Sequence, residues 1–234
     1  MSSAQPTDAV TFHSEIASTF HASYADDPNR QERIAVWRRV LARFVPKGEL
    51  AYDIGCGSGM VTCEIAPYAT HVTAIDGASG MLEIARNTVA ARGLNNVEFR
   101  QARLPIPEGH GLPAADIVIS SSVIEYLDSV EQALLFIRGI LKPGGVLVFS
   151  ISNRNSIKRQ AVRVFNKLTG RPRYFGLLKH FLSADDIRAA LEKTGFVFVE
   201  AEYFDSKDRI NSILGHIFPK KYAANLILAV AKRP

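Results

Sequence analysis

From residue 50 onward the chain alternates short, unbroken apolar runs with segments of helical period, and this constrains its fold more than any other feature. Residues 50–54, 71–75, 116–120 and 146–150 are such runs, with a weaker one at 97–100. Uninterrupted apolar strands belong in a sheet covered on both faces, and a strand–helix–strand rhythm makes neighbouring strands parallel. Helices are expected between them over 58–69, 79–91 and 130–141, the second stopped by Gly93 and the third by Lys142-Pro143-Gly144-Gly145. Beyond residue 152 the rhythm breaks, then resumes with a helix over 185–193. Two strands at 197–203 and 225–230, joined by a short connection, are expected to close the chain as an antiparallel edge. Ahead of the first strand, 8–23 and 29–44 read as amphipathic helices. The second carries Ile34, Trp37, Val40, Leu41 and Phe44 at helical spacing.

No repeat or Pro/Gly-rich linker divides the 234 residues, so we read one domain over 1–234, with a helical cap at 1–45 and an insertion at 153–181. At 47% hydrophobic and 22% charged residues, the composition is that of a globular protein with a sizeable core, which excludes a disordered chain. Two cysteines, Cys56 and Cys63, are too few for a disulfide framework, and a reducing cytoplasm is the expected setting. Apolar runs such as 226–231 fall far short of the roughly 18 residues that span a bilayer. The opening MSSAQPTDAV has neither the basic nor the apolar region of a secretory leader.

The segment richest in chemistry is Asp53-Ile54-Gly55-Cys56-Gly57-Ser58-Gly59, directly after the first strand and opening a helix. Glycines let backbone turn sharply and approach a ligand where a Cβ would clash, and a helix N-terminus offers free N–H donors. Alone, such a turn is merely a tight strand–helix connection. Here Asp76 ends the second strand, where a carboxylate can accept both hydroxyls of a ribose, so the pair points to a nucleoside cofactor. The glycines read G-x-G-x-G, not the G-x-G-x-x-G of dinucleotide sites, which argues against a nicotinamide-dependent oxidoreductase.

The pattern D-x-G-x-G-x-G, with Asp76 after the second strand and Lys142-Pro143-Gly144-Gly145 before the fifth, resembles the class I S-adenosylmethionine-dependent methyltransferases over about residues 30–204. Residues 28–33 and Ser150-Ile151-Ser152-Asn153-Arg154 look most like the ubiquinone-biosynthesis-type, small-molecule branch. The resemblance implies an α/β fold: a Rossmann-like, seven-stranded, mostly parallel sheet with helices on both faces. It implies S-adenosyl-L-methionine as cofactor. Asp53 and the backbone of Gly55, Cys56, Gly57 and Gly59 would hold the methionine part. Asp76 would take the ribose hydroxyls, with Gly77 and Met81 beside the adenosine. The family usually has an acidic residue after the third strand; this chain has Gln101-Ala102-Arg103-Leu104, so Gln101 or the backbone of Ala102 and Arg103 would meet the adenine. Ser120 and Ser121 would face the methionine end, and Arg33 or Arg30 the cofactor carboxylate.

Methyl transfer from a sulfonium asks the protein for alignment and desolvation, and for a base only if the acceptor must lose a proton. Histidines and cysteines show no metal-ligand spacing, and no G-x-S-x-G elbow occurs. The acceptor pocket belongs outside the carboxyl ends of the strands. Tyr24, Glu125, Tyr126, Asn153, Tyr174 and His180 are candidates to line it. His180 is the first choice as base or acceptor contact, the bland alternative being a histidine that packs or caps at a helix start. Tyr126 reads as packing as readily as catalysis, and Tyr24 as a lid residue.

The formal charge of +5 is uneven. Between Glu131 and Asp185 there are ten basic residues and no acidic one, leaving 18 basic against 23 acidic elsewhere. Residues 155–168 read as an amphipathic helix with Ile157, Ala161, Val164, Phe165 and Leu168 on one face and Lys158, Arg159, Arg163 and Lys167 off it. It is either a lid with a solvated basic face, or a surface for an acidic or lipid-like small-molecule acceptor with at most peripheral membrane contact. An RNA methyltransferase is a weaker alternative: no RNA-binding module is present and the rest of the chain repels phosphates.

Overall fold

The computed structural model describes residues 8–104, 106 and 111–234. The first seven residues, which bear on the leader reading, lie outside the described residues. Two helices open the described chain, α1 (Ala9–Asp26) and α2 (Pro28–Phe44). Asp8 caps α1 by accepting from the Thr11 amide, and Asp27 caps α2 by accepting from that of Asn29, with Pro28 at the first helical position. The alternating region then gives β1 (Gly48–Ile54), α3 (Thr62–Ile65), β2 (Ala69–Asp76), α4 (Ser79–Ala91), β3 (Val97–Gln101), β4 (Ala115–Ser121), α5 (Val130–Ile140) and β5 (Leu141–Ser152). After it come α6 (Ile157–Thr169), α7 (Ala184–Lys193), β6 (Val197–Phe204), α8 (Arg209–Ile217), α9 (Lys220–Ala223) and β7 (Leu226–Lys232).

The strands form one seven-stranded sheet in the order β3-β2-β1-β4-β5-β7-β6. Neighbours from β3 to β5 are parallel, and β7 runs antiparallel to both β5 and β6. The expected mostly parallel sheet is present, and its antiparallel strand lies one place in from the edge. Side chains alternate across a strand, so consecutive residues feed opposite layers. Tyr52, Val118, Leu147 and Phe149 meet α5 and α7 through Leu134, Ile137, Ile187 and Leu191. Ala51, Ile117, Val146 and Val148 meet α2 through Val36, Trp37, Val40 and Leu41. Full burial of each large apolar side chain is worth roughly 1.5–3 kcal/mol, so these two layers hold the sheet between helices.

Two expectations change. The helix expected over 58–69 is the single turn α3 followed by a 3-10 turn at Ala66–Tyr68, because the glycine turn occupies the residues before it. The short connection between the last strands holds α8 and α9. Asp208 starts α8 by accepting from the amides of Ile210 and Asn211.

Candidate functional site

The carboxyl ends of β1 and β4 lie side by side, and here the strand order reverses direction: β2 and β3 lie to one side, β5 to the other. That is where an open α/β sheet leaves a crevice. It opens into a cavity of about 670 Å³, within the range of small-molecule sites.

Its floor is the glycine turn. Gly55, Gly57 and Gly59 all have positive φ, a backbone conformation that disfavours any other residue. A Cβ on Gly55 would lie 2.2 Å from Val123 Cγ2, whereas one on Gly57 would meet nothing within 4 Å because it would point into the cavity. Asp76 holds the turn in place: its Oδ2 accepts from the Gly57 amide and its Oδ1 from that of Ala78, both at 2.8 Å. Its carboxylate lines the cavity, and burial raises its pKa. Gly77, Met81 and Arg103 line the same end, Arg103 held by an ion pair to Asp8 at 2.9 Å. The Ala102 amide is tied to the Asp76 carbonyl at 3.0 Å, and the Gln101 amide group donates to Gly77 O.

Helix α1 forms the outer wall. It packs on α4, with Gly80 N donating to Ser14 Oγ, and it presents Val10, His13 and Phe20 to the cavity. Helix α2 adds Arg30 and Arg33. Arg33 precedes Trp37 by one turn, so the face that buries Trp37 in the core carries Arg33 into the crevice, where it is 8% exposed. Arg30 stacks on Phe20, its guanidinium carbon 4.2 Å from the ring centroid.

The opposite wall comes from the segment after β4. Ser122 has φ of 57°, a conformation costly for a non-glycine residue, and is held by bonds from its amide to Ser150. The turn that follows points Glu125 and Tyr126 inward. Glu125 is 2% exposed; burial pushes its pKa up to about 7 against the pull of Arg159 and Arg33. Its Oε1 accepts from Ser152 Oγ at 3.1 Å, while its Oε2 has no partner. Burial raises the Tyr126 hydroxyl, which therefore stays a neutral phenol, and its ring meets His13 edge-on at 5.4 Å. Burial beside Arg30 drives His13 down to about 4, so its imidazole is neutral at physiological pH.

Several candidates sit elsewhere than the sequence suggested. His180 does not line the cavity: its Nε2 lies 3.0 Å from the Leu127 carbonyl, and its backbone amide donates to Glu125 O. Ser120 spends its hydroxyl on the Ile54 carbonyl within the sheet, leaving Ser121 to face the cavity. Asn153 is fully buried, donating to the carbonyls of Lys221 and Ala224. Tyr24 packs on Phe20 outside the cavity lining, which Tyr174 does join. Asp53 lies fully buried beneath the turn, accepting from Thr62 Oγ1 at 2.6 Å, with burial raising it to about 7. Cys56 is buried, and burial pushes its thiol well up. Sequence reasoning missed His13 and Ser122. A histidine inside an amphipathic helix carries no signal of its partners, and strain at a serine is not written in its neighbours.

The cavity fits a nucleoside sulfonium cofactor. Gly57 leaves room for it, Asp76 offers free lone pairs towards a ribose, and Ser121 Oγ and Arg33 Nε are buried with no hydrogen-bond partner. Among the described residues no group of three or more His, Cys, Asp or Glu forms a metal cluster.

Residues 52–147, which contain the turn, Asp76 and the segment after β4, match a family model described as a methyltransferase domain. Over that stretch, less than half of the chain, the protein is similar to methyltransferases. Over 102 residues the chain is 34% identical to a ubiquinone biosynthesis O-methyltransferase of Rickettsia felis, a match that covers 44% of this chain and 41% of that one, so the chain spans less than half the length of that relative. A longer match, 25% identical over 79% of this chain and 83% of the relative, is to O-methyltransferase rstn1 of Aspergillus nomiae. The fold of the chain is also that of N-methyltransferase NodS from Bradyrhizobium japonicum, solved with S-adenosyl-L-homocysteine. The TM-score is 0.65 over 95% of this chain and 98% of that one, at 17% identity.

Proposed function

We propose that the protein transfers a methyl group from S-adenosyl-L-methionine to an oxygen, or alternatively a nitrogen, of a small-molecule acceptor. One observation carries this: the Asp76 carboxylate is fastened to the glycine turn at the edge of a cavity large enough for cofactor and acceptor together. In this reading Gly57, Gly77, Met81 and Asp76 hold the nucleoside, Ser121 and Arg33 the methionine end, and Asp53 stiffens the turn from below. The cofactor supplies the electrophilic methyl. The chain supplies orientation and a water-poor site, with α1 and α2 (within a cap at 1–45) on one side and the 153–181 insertion on the other, in one domain.

Incubation with S-adenosyl-L-methionine and a panel of quinols, phenols and amines, followed by assay for S-adenosylhomocysteine, is the direct test. We expect product with a hydroxyl-bearing member; no product with any acceptor, together with no cofactor binding, would sink the proposal.

A finer reading concerns where the acceptor is met. No residue of α6 is buried, and its Phe165 and Leu168 are 54% and 81% exposed. On α8, Ile210, Ile213 and Ile217 share an exposed face. Neither Asn155–Lys179 nor Arg209–Pro234 contains an acidic residue. Apolar side chains on helices rich in cations suit a lipid-like acceptor met at an anionic membrane surface. No helix among the described residues is long and apolar enough to cross a membrane. Free, buried Cys56 and Cys63 favour a cytoplasmic setting.

A further inference from the structure

Buried polar atoms ordinarily find partners, so unpaired ones that face a cavity indicate what the cavity awaits. Glu125 Oε2 and, on α6, Arg159 Nε and Nη1 are buried without partners, and both residues line the same wall. No ion pair joins them, so an unpaired acceptor and two unpaired donors line the same cavity. Glu125 offers an empty lone pair, Arg159 offers two empty donors. A hydroxyl satisfies both at once, giving its hydrogen to the carboxylate and taking a hydrogen bond from the guanidinium.

We infer that Glu125 and Arg159 form the acceptor subsite of this methyltransferase and that it takes an acidic hydroxyl, a phenol or an enol, with Glu125 as the base. The inference rests on the proposed methyl transfer and names its acceptor class. In the step, the acceptor O–H bond breaks and its proton passes to Glu125 Oε2. The oxygen's electron pair forms the new bond to the methyl carbon, while the carbon–sulfur bond breaks with its pair going to sulfur. Arg159 steadies the negative charge that develops on the oxygen.

The surroundings favour this. Lys179 N and His180 N both donate to the Glu125 carbonyl, so the insertion fixes the backbone that aims the carboxylate. Ser152 holds its other oxygen. The charged and titratable groups facing Glu125 are Arg33 from α2, Arg159 from α6 and the neutral Tyr126 beside it. Burial poises the carboxyl near neutrality, where a base is most useful.

The test uses 4-fluorophenol and 4-fluoroanisole, which share a ring but not a hydroxyl, titrated into the whole protein by fluorine NMR with and without saturating S-adenosylhomocysteine. We expect the phenol to bind about tenfold tighter or better, and its affinity to rise as the pH passes through about 7 while Glu125 ionises. Arg159→Gln should abolish the preference for the phenol. Glu125→Gln should abolish the pH dependence, and both variants should keep the wild-type affinity for S-adenosylhomocysteine. Equal binding of the two probes, no binding of either, or a preference that survives Arg159→Gln would overturn the inference. Failure of S-adenosylhomocysteine to bind, with the phenol preference intact, would instead overturn the methyl-transfer reading.

Discussion

Gly55 and Gly57 stand two residues apart and do different work. Both need a positive φ, which costs an alanine roughly 1–2 kcal/mol. At Gly55 the added Cβ also strikes Val123, whereas at Gly57 it enters the cavity. Gly55→Ala should therefore lower the melting temperature by about 5 °C or more. Gly57→Ala should lower it by only about 2–4 °C yet weaken S-adenosylhomocysteine binding roughly tenfold. Thermal scans and calorimetric titration of the two variants separate these effects; equal affinity in both would deny Gly57 its place at the ligand.

Asp53 gives a pH signature at the same scale. Its pKa rises from 3.8 to about 7 because burial penalises the charged form. The folded protein thus keeps this proton to higher pH than the unfolded chain does. Its contribution to stability is fully present below 3.8 and is lost as pH rises through about 7. Asp53→Asn should gain stability relative to wild type as pH climbs through that window, read as the difference in urea midpoints on either side of it. His13, buried neutral, titrates with the opposite slope in both proteins and cancels from the difference. A constant gap would mean that Asp53 ionises in the folded state as it does in the unfolded one.

Among the elements, α6 departs furthest from ordinary packing. A helix normally buries its apolar stripe, but here Arg159 and Val162 face the cavity while Val164, Phe165 and Leu168 stay exposed. Lys158 is held by Asp208 at 2.8 Å, and Arg163 lies over the Phe181 ring. Its four cations, which sequence reasoning grouped as one face, therefore have separate settings: one ion-paired, one in the cavity, one on a ring, and Lys167 in the last turn. Periodicity showed the helix but not which neighbours would meet each side. Leu168→Glu should leave the melting temperature within about 1 °C of wild type, since the side chain packs on little. The same change should reduce sedimentation with anionic phospholipid vesicles several-fold. Unchanged vesicle binding would leave α6 as a solvated lid.

Helix α8 shows the other limit at this scale. Its apolar residues at 210, 213 and 217 lie in a stretch that reads from sequence as a short connection, because it sits between two apolar runs. The central strands are readable because β1, β2, β4, β5 and β7 are apolar on both faces of the sheet, whereas β3 and β6, at its edges, carry charged residues and give a weaker signal.

For the whole molecule, the grouping of the glycine turn with Asp76 was legible and the grouping of the opposite wall was not. The glycine turn and Asp76 are local in sequence and fixed by backbone geometry at the carboxyl ends of β1 and β2. Glu125, Arg33, Arg159 and His13 come from four separate elements, and only the packed fold shows that they share a cavity. His180 was the natural base by type, yet the loop that carries it turns the ring toward the carbonyls of Leu127 and Asp128. In the proposed function, Asp76 and the glycine turn bind the sulfonium cofactor. Isothermal titration of wild type and Asp76→Ala with S-adenosylhomocysteine tests it most directly. Wild type should bind with a micromolar dissociation constant and the variant at least about tenfold more weakly, a loss of about 1.4 kcal/mol or more. No binding by wild type at millimolar ligand, or equal binding by both proteins, would contradict it.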